Sequence, residues 1–306
     1  MKSAVGRIVV TVAAAAALVA ATLVVMHYVR SPESPPPTAP PGEAKAGEGA
    51  AVAGQPKGPA LAPPPPGPGE AEADDGLALA ASGRLAQAQV RLSQSLRAGV
   101  DGPKGKAVRD AVMSLADRVQ FGGEKAPDDP YAKSYNVVKG DAIITIGRKF
   151  LIPGELVMRL NRLGSPSIQA GQSLKVIQGP IHVEIYKARH ELQAWCGDVC
   201  VRVYPVGIGK VGSTPEGTFT VKSKIRNPPY QPLHKPRTEF RDPGAADNPL
   251  GTRWIDIGNH YGIHGTIDAA SIGRDVSEGC IRLHGKDVEE LFDLVVEGAS
   301  KVTIRP

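Results

Sequence analysis

Two residues in the C-terminal half of the chain, one cysteine and one histidine, could carry covalent chemistry together. Cys280 ends the run Ser277-Glu278-Gly279-Cys280, and His264 is followed by Gly265. A cysteine attacks a carbonyl as its thiolate, and a nearby imidazole can take up the thiol proton. We therefore predict that Cys280 is a nucleophile and that His264 is its general base.

Glycines beside these two residues fit the same chemistry. Gly279 allows the backbone to turn tightly, so that amide groups from Glu278 to Cys280 could point at a developing oxyanion. Gly265 allows a substrate or another backbone segment to approach closely beside the histidine. The sequence therefore predicts a peptide-processing site rather than an isolated buried thiol.

With these motifs in view, the segment resembles the catalytic domain of the L,D-transpeptidase (YkuD) family. That family has a His-Gly-Thr motif followed by Ser-x-Gly-Cys-x-Arg, and this chain has both in the same order. The resemblance covers about 181–306, since three other segments also match: Ser213-Thr-Pro-Glu-Gly-Thr-Phe, Asn248-Pro-Leu-Gly and Asp287-Val-Glu-Glu-Leu-Phe.

The resemblance implies a role for each matching position. Besides Cys280 and His264, it implies that the carbonyl of Gly265 orients the imidazole and that Ser277 shapes the site by hydrogen bonds. Arg282 would anchor the substrate or a loop. The remaining positions implied for the site are Glu278 and Gly279 for the oxyanion, and Tyr261 and Thr266 for substrate binding. Glu278 stands where many members have His, and Arg282 where others have Asn.

The reaction that the resemblance implies is ping-pong acyl transfer. Cys280 would attack the carbonyl after the third residue of a tetrapeptide stem and release D-Ala. The amine of a diamino acid on a neighbouring stem would then form a 3→3 cross-link. Water as the acceptor would give an L,D-carboxypeptidase, and a protein acceptor is a further option. No metal or organic cofactor is expected.

Other interpretations of these residues stay open. His260 with His264, and Cys280 with His284, have spacings that zinc ligands use, although the adjacent glycines would serve no purpose there. A non-catalytic protein that anchors the membrane to peptidoglycan is a second hypothesis, which intact Cys280 and His264 disfavour. A cysteine endopeptidase is a third, disfavoured because its cysteine commonly precedes its histidine.

The segment 133–178 predicts a small α+β module. It reads as strand, helix, helix, strand, with helices at Ile143 to Phe150 and Glu155 to Asn161. It resembles the LysM module through Val137-Val-Lys-Gly-Asp, a central Asn161 and Gly171-Gln-Ser-Leu-Lys-Val. That resemblance implies binding to the N-acetylglucosamine-containing glycan of peptidoglycan.

The segment 180–306 predicts a mainly β domain, a YkuD-like β-sandwich with one helix at Lys286 to Val296. The expected strands are Ile181 to Tyr186, Val199 to Val206, Thr218 to Ser223, Trp254 to Ile257 and Lys301 to Ile304. Cys196 and Cys200 flank a predicted three-residue hairpin loop that would place them opposite each other. In an oxidising compartment they could form a disulfide or remain free.

The first part of the chain predicts an anchor and a spacer. The 22 residues 8–29 are uncharged and long enough to cross a membrane, and Lys2 and Arg7 before them predict a cytoplasmic N-terminus. The linker 31–69 is rich in Pro, Ala and Gly and is expected to be extended, placing the rest on the extracytoplasmic or periplasmic side. A short helical hairpin is predicted at 70–122, with breaks at Gly83 and at Gly99 to Pro103.

The charge of the chain argues against nucleic-acid binding. The 36 Lys and Arg residues are mixed with 31 Asp and Glu residues, for a net charge of +5, rather than gathered into a basic stripe. The predicted partners are therefore peptidoglycan glycan, stem peptides and, through residues 8–29, the membrane.

Overall fold

The computed structural model describes residues 67–123, 129–210, 212–232 and 236–306. The predicted membrane segment at 8–29 and nearly all of the linker at 31–69 lie outside these ranges. Within the ranges, no helix is both long enough and apolar enough to cross a membrane.

The predicted helical region at 70–122 contains three short helices, one more than a simple hairpin has. They are α1 (Glu70–Ala81), α2 (Leu85–Ala98) and α3 (Gly102–Val119). Gly83 and Gly99 adopt the left-handed conformation, so the helices are interrupted where these glycines predict. Two interruptions divide the segment into three helices. Buried leucines of α2, together with valines of α3, pack against Trp195 of the β domain.

The LysM-like module has the predicted order of elements. It consists of β1 (Ala132–Asn136), α4 (Ile143–Phe150), α5 (Gly154–Leu160) and β2 (Ser173–Ile177), and β1 pairs antiparallel with β2. The side chain of Asn161 joins the helices to β2, since its amide N donates to the carbonyls of Val157 (2.8 Å) and Lys175 (2.7 Å). The side chain of this central asparagine thus holds α5 against β2.

The C-terminal domain is mainly β, as predicted, and contains two larger sheets. The five-stranded sheet has the order β5 (Val199–Pro205), β4 (Glu191–Cys196), β3 (Ile181–Tyr186), β13 (Lys301–Arg305) and β7 (Gly217–Thr220). The four-stranded sheet has the order β12 (Ile281–Arg282), β10 (Tyr261–His264), β9 (Arg253–Gly258) and β8 (Ser223–Arg226). Buried side chains of both sheets belong to one hydrophobic core.

Smaller elements complete the domain. β6 (Ile208–Gly209) pairs in parallel with β11 (Asp275–Ser277), and α6 (Gly285–Phe292) follows β12. The helix is shorter than the predicted Lys286 to Val296. It is followed by a tighter turn, in which the amide of Leu294 donates to the carbonyl of Leu291, three residues earlier (3.0 Å).

The single strand predicted at Thr218 to Ser223 is two strands in different sheets. The chain crosses between the sheets at Val221, whose side chain is fully buried. The amide of Val221 donates to Ser300, beside the first sheet, whereas the next amide, of Lys222, donates to Asp256 of β9 in the second. The alternating pattern continues through the crossover, so sequence periodicity does not reveal it.

Cys196 and Cys200 do not lie opposite each other. The turn between β4 and β5 contains two residues, not three, so Cys196 pairs with Val199 and Cys200 with Trp195. The two thiols consequently belong to different hydrophobic clusters, and both are free. Burial raises the pKa of the Cys196 thiol to about 12, and burial also raises the pKa of Cys200.

Candidate active site

A row of side chains crosses the four-stranded sheet and organises the site. The strand register places Ile225 opposite Trp254, Trp254 opposite His264, and His264 opposite Arg282. Cys280 immediately precedes β12, and it lines the same cleft as Trp254, the residue on which His264 stacks. The sheet therefore brings the predicted nucleophile and base to one face.

The imidazole of His264 is held in one tautomer. Its Nδ1 lies 2.6 Å from the carbonyl oxygen of Gly265, which can only accept a hydrogen bond. Nδ1 therefore carries the proton, and Nε2 has a free lone pair with which to act as a base. The ring also stacks on Trp254, with 5.6 Å between ring centroids and an interplanar angle of 21°. Burial lowers the pKa of His264 to about 4, so the ring is neutral near pH 7.

The thiol of Cys280 is also neutral in the resting site. It is half-buried, with Sγ 3.9 Å from the carbonyl oxygen of His260. Burial raises its pKa, although the backbone amide of Gly262 and the positive charge of Arg282 oppose that rise. The two groups are therefore a neutral thiol and a neutral imidazole in the resting protein, and not a preformed thiolate–imidazolium pair.

Ser277 and Gly279 shape the loop that carries Cys280. The Ser277 hydroxyl donates to the carbonyl of Cys280 (2.6 Å) and accepts from the amide of Gly279 (3.1 Å). The Gly279 amide is thereby occupied, so the prediction that it points at the oxyanion is wrong for this residue. Gly279 has a φ of +129°, and a Cβ there would lie 2.6 Å from the ring of Tyr261, so the loop requires glycine.

Thr214 supports the same loop and is a residue that sequence reasoning missed. Its buried hydroxyl accepts from the amide of Gly209 (2.8 Å) and donates to the carbonyl of Gly279 (3.0 Å). It thus ties β6 to the nucleophile loop. The Ser213-Thr-Pro-Glu segment of the family resemblance was the signal that could have found it.

Arg282 supplies positive charge to the site. Its charge adds to the effect of burial in lowering the pKa of His264, and it opposes the rise that burial causes in the pKa of Cys280. Its Nε is buried and has no hydrogen-bond partner among the residues that the structure describes. Such an unsatisfied donor is costly unless a ligand completes it.

A cleft of about 720 Å³ opens over Cys280. Trp254, which sequence reasoning did not single out, forms part of its wall, and the exposed Glu278 lies at its edge. The other lining residues come mainly from the loop after β8: Ile225, Pro228, Pro229, Tyr230, Gln231, Pro232 and Leu250. The aromatic and proline-rich lining suits an extended peptide.

None of the three residues predicted to bind substrate, Arg282, Tyr261 and Thr266, lines this cleft. Tyr261 lies against Gly279 on the nucleophile loop, as the close approach above shows. The hydroxyl of Thr266 accepts from the amide of Asp268 (3.0 Å) and so stabilises the turn after β10. The structure therefore gives Tyr261 and Thr266 supporting positions.

The residues of the zinc interpretation do not form a set of metal ligands in the part of the chain that the structure describes. His260 lies with Asn259 in the tight turn between β9 and β10, where both residues have positive φ. Across the described ranges, no group of three or more His, Cys, Asp or Glu side chains is arranged to hold a metal ion.

Comparison with known proteins gives the family of the chain. The family model for the L,D-transpeptidase catalytic domain (YkuD) matches residues 180–304, and the LysM domain model matches residues 135–176. YkuD of Bacillus subtilis, itself provisionally named an L,D-transpeptidase, is 33% identical over 180 residues, which is 56% of this chain and 98% of the relative. The chain belongs to the L,D-transpeptidase (YkuD) family.

Other relatives of this L,D-transpeptidase family member carry similarly provisional names. YqjB of Bacillus subtilis is 39% identical over 129 residues, covering 40% of this chain and 70% of the relative. ErfK/SrfK of Escherichia coli is 40% identical over 109 residues, covering 32% of this chain and 35% of the relative. A solved L,D-transpeptidase from Mycobacterium smegmatis has a TM-score of 0.35 at 21% identity, over 44% of this chain and 64% of that one.

Proposed function

We propose that this protein is a cell-wall L,D-transpeptidase that transfers an acyl group from a tetrapeptide stem to an amine acceptor through Cys280. The observation that carries the proposal is the hydrogen bond between Nδ1 of His264 and the carbonyl of Gly265. It leaves Nε2 as a base on the same face of the sheet as the only half-exposed cysteine of the described residues. That arrangement is what thiol acyl transfer requires.

The first half of the reaction forms a thioester. As Cys280 attacks the carbonyl after the third stem residue, Nε2 of His264 takes the thiol proton. The bond from that carbonyl carbon to the nitrogen of D-Ala then breaks, and His264 returns the proton to the leaving amine. The products are a Cys280 thioester and free D-Ala.

The second half restores the thiol. An amine from a neighbouring stem attacks the thioester carbonyl, and His264 takes a proton from the attacking nitrogen. The carbon–sulfur bond breaks, and the proton moves to the sulfur. The new amide is a 3→3 cross-link, and the sequence of steps consumes no oxidant, reductant or nucleotide.

Arg282 is proposed to hold the carboxylate of the departing D-Ala. Its unpaired Nε supports this role, since guanidinium groups bind carboxylates through paired N–H donors. With the Gly279 amide engaged by Ser277, we assign the oxyanion to amide groups of Glu278 and Cys280. Both assignments rest on the positions of these groups beside the nucleophile.

The remaining segments are proposed to bring the site to its substrate. The LysM domain would bind peptidoglycan glycan, and residues 8–29 would anchor the chain in the membrane with the catalytic domain outside the cytoplasm. The supporting observations are the match to the LysM family model and the uncharged run in the sequence. The proline-rich linker would then span the distance between membrane and wall.

Product analysis tests the proposed reaction. We would incubate the protein with a disaccharide tetrapeptide at millimolar concentration and separate the products by chromatography and mass spectrometry. The proposal predicts 3→3 dimers and equimolar D-Ala, both abolished by Cys280→Ala. Tripeptide and D-Ala without dimers would instead show an L,D-carboxypeptidase, and unchanged substrate would favour the anchoring hypothesis.

A further inference from the structure

A second cleft, which the proposed reaction does not use, lies between the LysM domain and the catalytic domain. Its volume is about 680 Å³. The LysM side contributes Ile144 and Arg148 of α4 and Glu155 of α5, and the catalytic side contributes the strand β8 with the end of α6. We call it the intermodular cleft.

The intermodular cleft continues into the catalytic cleft. Ile225 of β8 lines both cavities and is 42% exposed, an unusual exposure for a large aliphatic side chain. It is also the last member of the row that begins at Arg282 and passes through His264 and Trp254. A molecule bound at Cys280 can therefore extend across the sheet and reach the intermodular cleft without leaving the surface.

The length of this path matches the donor. Three strand spacings of about 4.8 Å separate the strand of Arg282 from β8, a span of roughly 14 Å. The acyl part of the donor has three stem residues, which extend over about 10 Å before the link to the sugar is added. A stem whose third residue is bonded to Cys280 thus ends, at its sugar-bearing terminus, near Ile225.

The walls of the intermodular cleft suit a sugar. Ile144 is 57% exposed and, with Ile225, offers aliphatic surface to the apolar faces of a pyranose ring. β8 is an edge strand of its sheet, and such a strand presents backbone N–H and C=O groups that can bond hydroxyl and N-acetyl groups. Arg148 adds a charged donor.

Ion pairs fix the two walls of the cleft relative to each other. Arg226 of β8 lies 3.0 Å from Glu155 of the LysM domain and 3.4 Å from Asp293 after α6. Arg159 of α5 lies 3.3 Å from Glu290 of α6. The cleft is consequently a defined gap between two joined modules.

We propose that the intermodular cleft binds the amino-sugar end of the donor strand, the sugar that carries the stem being acylated at Cys280. The inference rests on the proposed function, since it names where the rest of that donor lies. It makes the LysM–catalytic junction a determinant of substrate choice, favouring stems on glycan over free peptides.

The test compares two donors on the full-length protein: a free tetrapeptide and the same tetrapeptide on its disaccharide. D-Ala release is measured for the wild type, Ile144→Asp and Arg148→Glu. Lys133→Glu is the matched control for Arg148→Glu, because Lys133 is an exposed cation of the same domain and does not line the cleft. We expect the two cleft variants to lower kcat/KM for the disaccharide donor about fivefold to tenfold, and to leave the free peptide unchanged.

Each other outcome is informative. Equal kcat/KM for both donors in the wild type, or a loss caused by Lys133→Glu and not by Arg148→Glu, would overturn the proposal. If a variant also loses activity on the free tetrapeptide, thermal melting shows whether it has misfolded. In that case the other cleft variant provides the test. No D-Ala release from either donor by the wild type would reject the proposed function itself.

Discussion

At the scale of single residues, the surroundings of His264 set the protonation state of its imidazole. The ring is 5% exposed, donates through Nδ1 to Gly265 and stacks on Trp254. The strand register places Trp254 opposite His264, whereas Gly265 is the next residue in the chain. Only His264 and Gly265 belong to the recognisable motif. Trp254 comes from a different strand, and nothing in its local sequence links it to the histidine.

Replacement of Trp254 should change the pH dependence of acylation. A neutral His264 is required as the base, so the rate falls as the pH drops through its pKa, which is about 4. Trp254→Leu would admit water to the ring, weaken the effect of burial and raise that pKa by about 1 to 2 units toward its ordinary value. The acid limb of the pH–rate profile for D-Ala release should shift upward accordingly.

Trp254→Phe is the control for this shift, since it keeps an aromatic ring over the imidazole. Its acid limb should stay close to that of the wild type. A Trp254→Leu variant with lower kcat but an unmoved acid limb would show that the stacking does not set the protonation of His264.

At the scale of elements, the sequence predicted the order of the LysM domain and four strands of the catalytic domain, β3, β5, β9 and β13, but it did not predict β10 or β12. It failed where a tertiary contact decides the outcome. The crossover at Val221 and the two-residue turn between β4 and β5 leave no mark on the alternating pattern. The loop of Cys280 is similar, because its shape depends on Thr214, which lies 66 residues earlier in the chain.

The tie between β6 and the nucleophile loop predicts a sharp difference among threonine variants. Thr214→Val has nearly the same volume but would leave the Gly209 amide and the Gly279 carbonyl without a buried partner. We expect a loss of about 1 to 3 kcal/mol in the free energy of unfolding and at least tenfold slower acylation of Cys280. Chemical denaturation and D-Ala release measure the two effects.

Two further variants make the result specific. Thr214→Ser keeps the hydroxyl and should retain most of the activity, whereas Thr303→Val removes an exposed hydroxyl that lies 3.1 Å from Thr218 and should change little. Equal behaviour of Thr214→Val and Thr303→Val would rule out a positioning role for Thr214.

At the scale of the whole molecule, one ionic cluster joins the three helices, the LysM domain and the catalytic domain. Arg202 of β5 contacts Asp117 of α3 (2.6 Å) and Glu290 of α6 (2.9 Å). Glu290 also accepts from Arg159 of α5 (3.3 Å) and from the hydroxyl of Tyr204 (2.9 Å). Sequence reasoning did not find this cluster, because only Glu290 lies in a recognised segment and its partners are scattered along the chain.

We expect Arg202→Met to destabilise the protein by about 2 to 4 kcal/mol, since it leaves Glu290 half-buried with one cation fewer. Because the cluster joins the modules, we expect one thermal transition for the wild type and two for Arg202→Met in calorimetry. Arg241→Met is the control: its ion pair with Asp247 is exposed, and its loss should cost less than about 1 kcal/mol. One sharp transition at an unchanged temperature in Arg202→Met would contradict the coupling.

The intact mass of the protein, recorded during turnover of a disaccharide tetrapeptide under reducing conditions, shows whether Cys280 carries the acyl group. We expect an acyl adduct equal to the substrate less one D-Ala on Cys280, present in Cys196→Ala and absent in Cys280→Ala. No adduct on the wild type with glycan binding intact, or an adduct that persists in Cys280→Ala, would contradict this expectation.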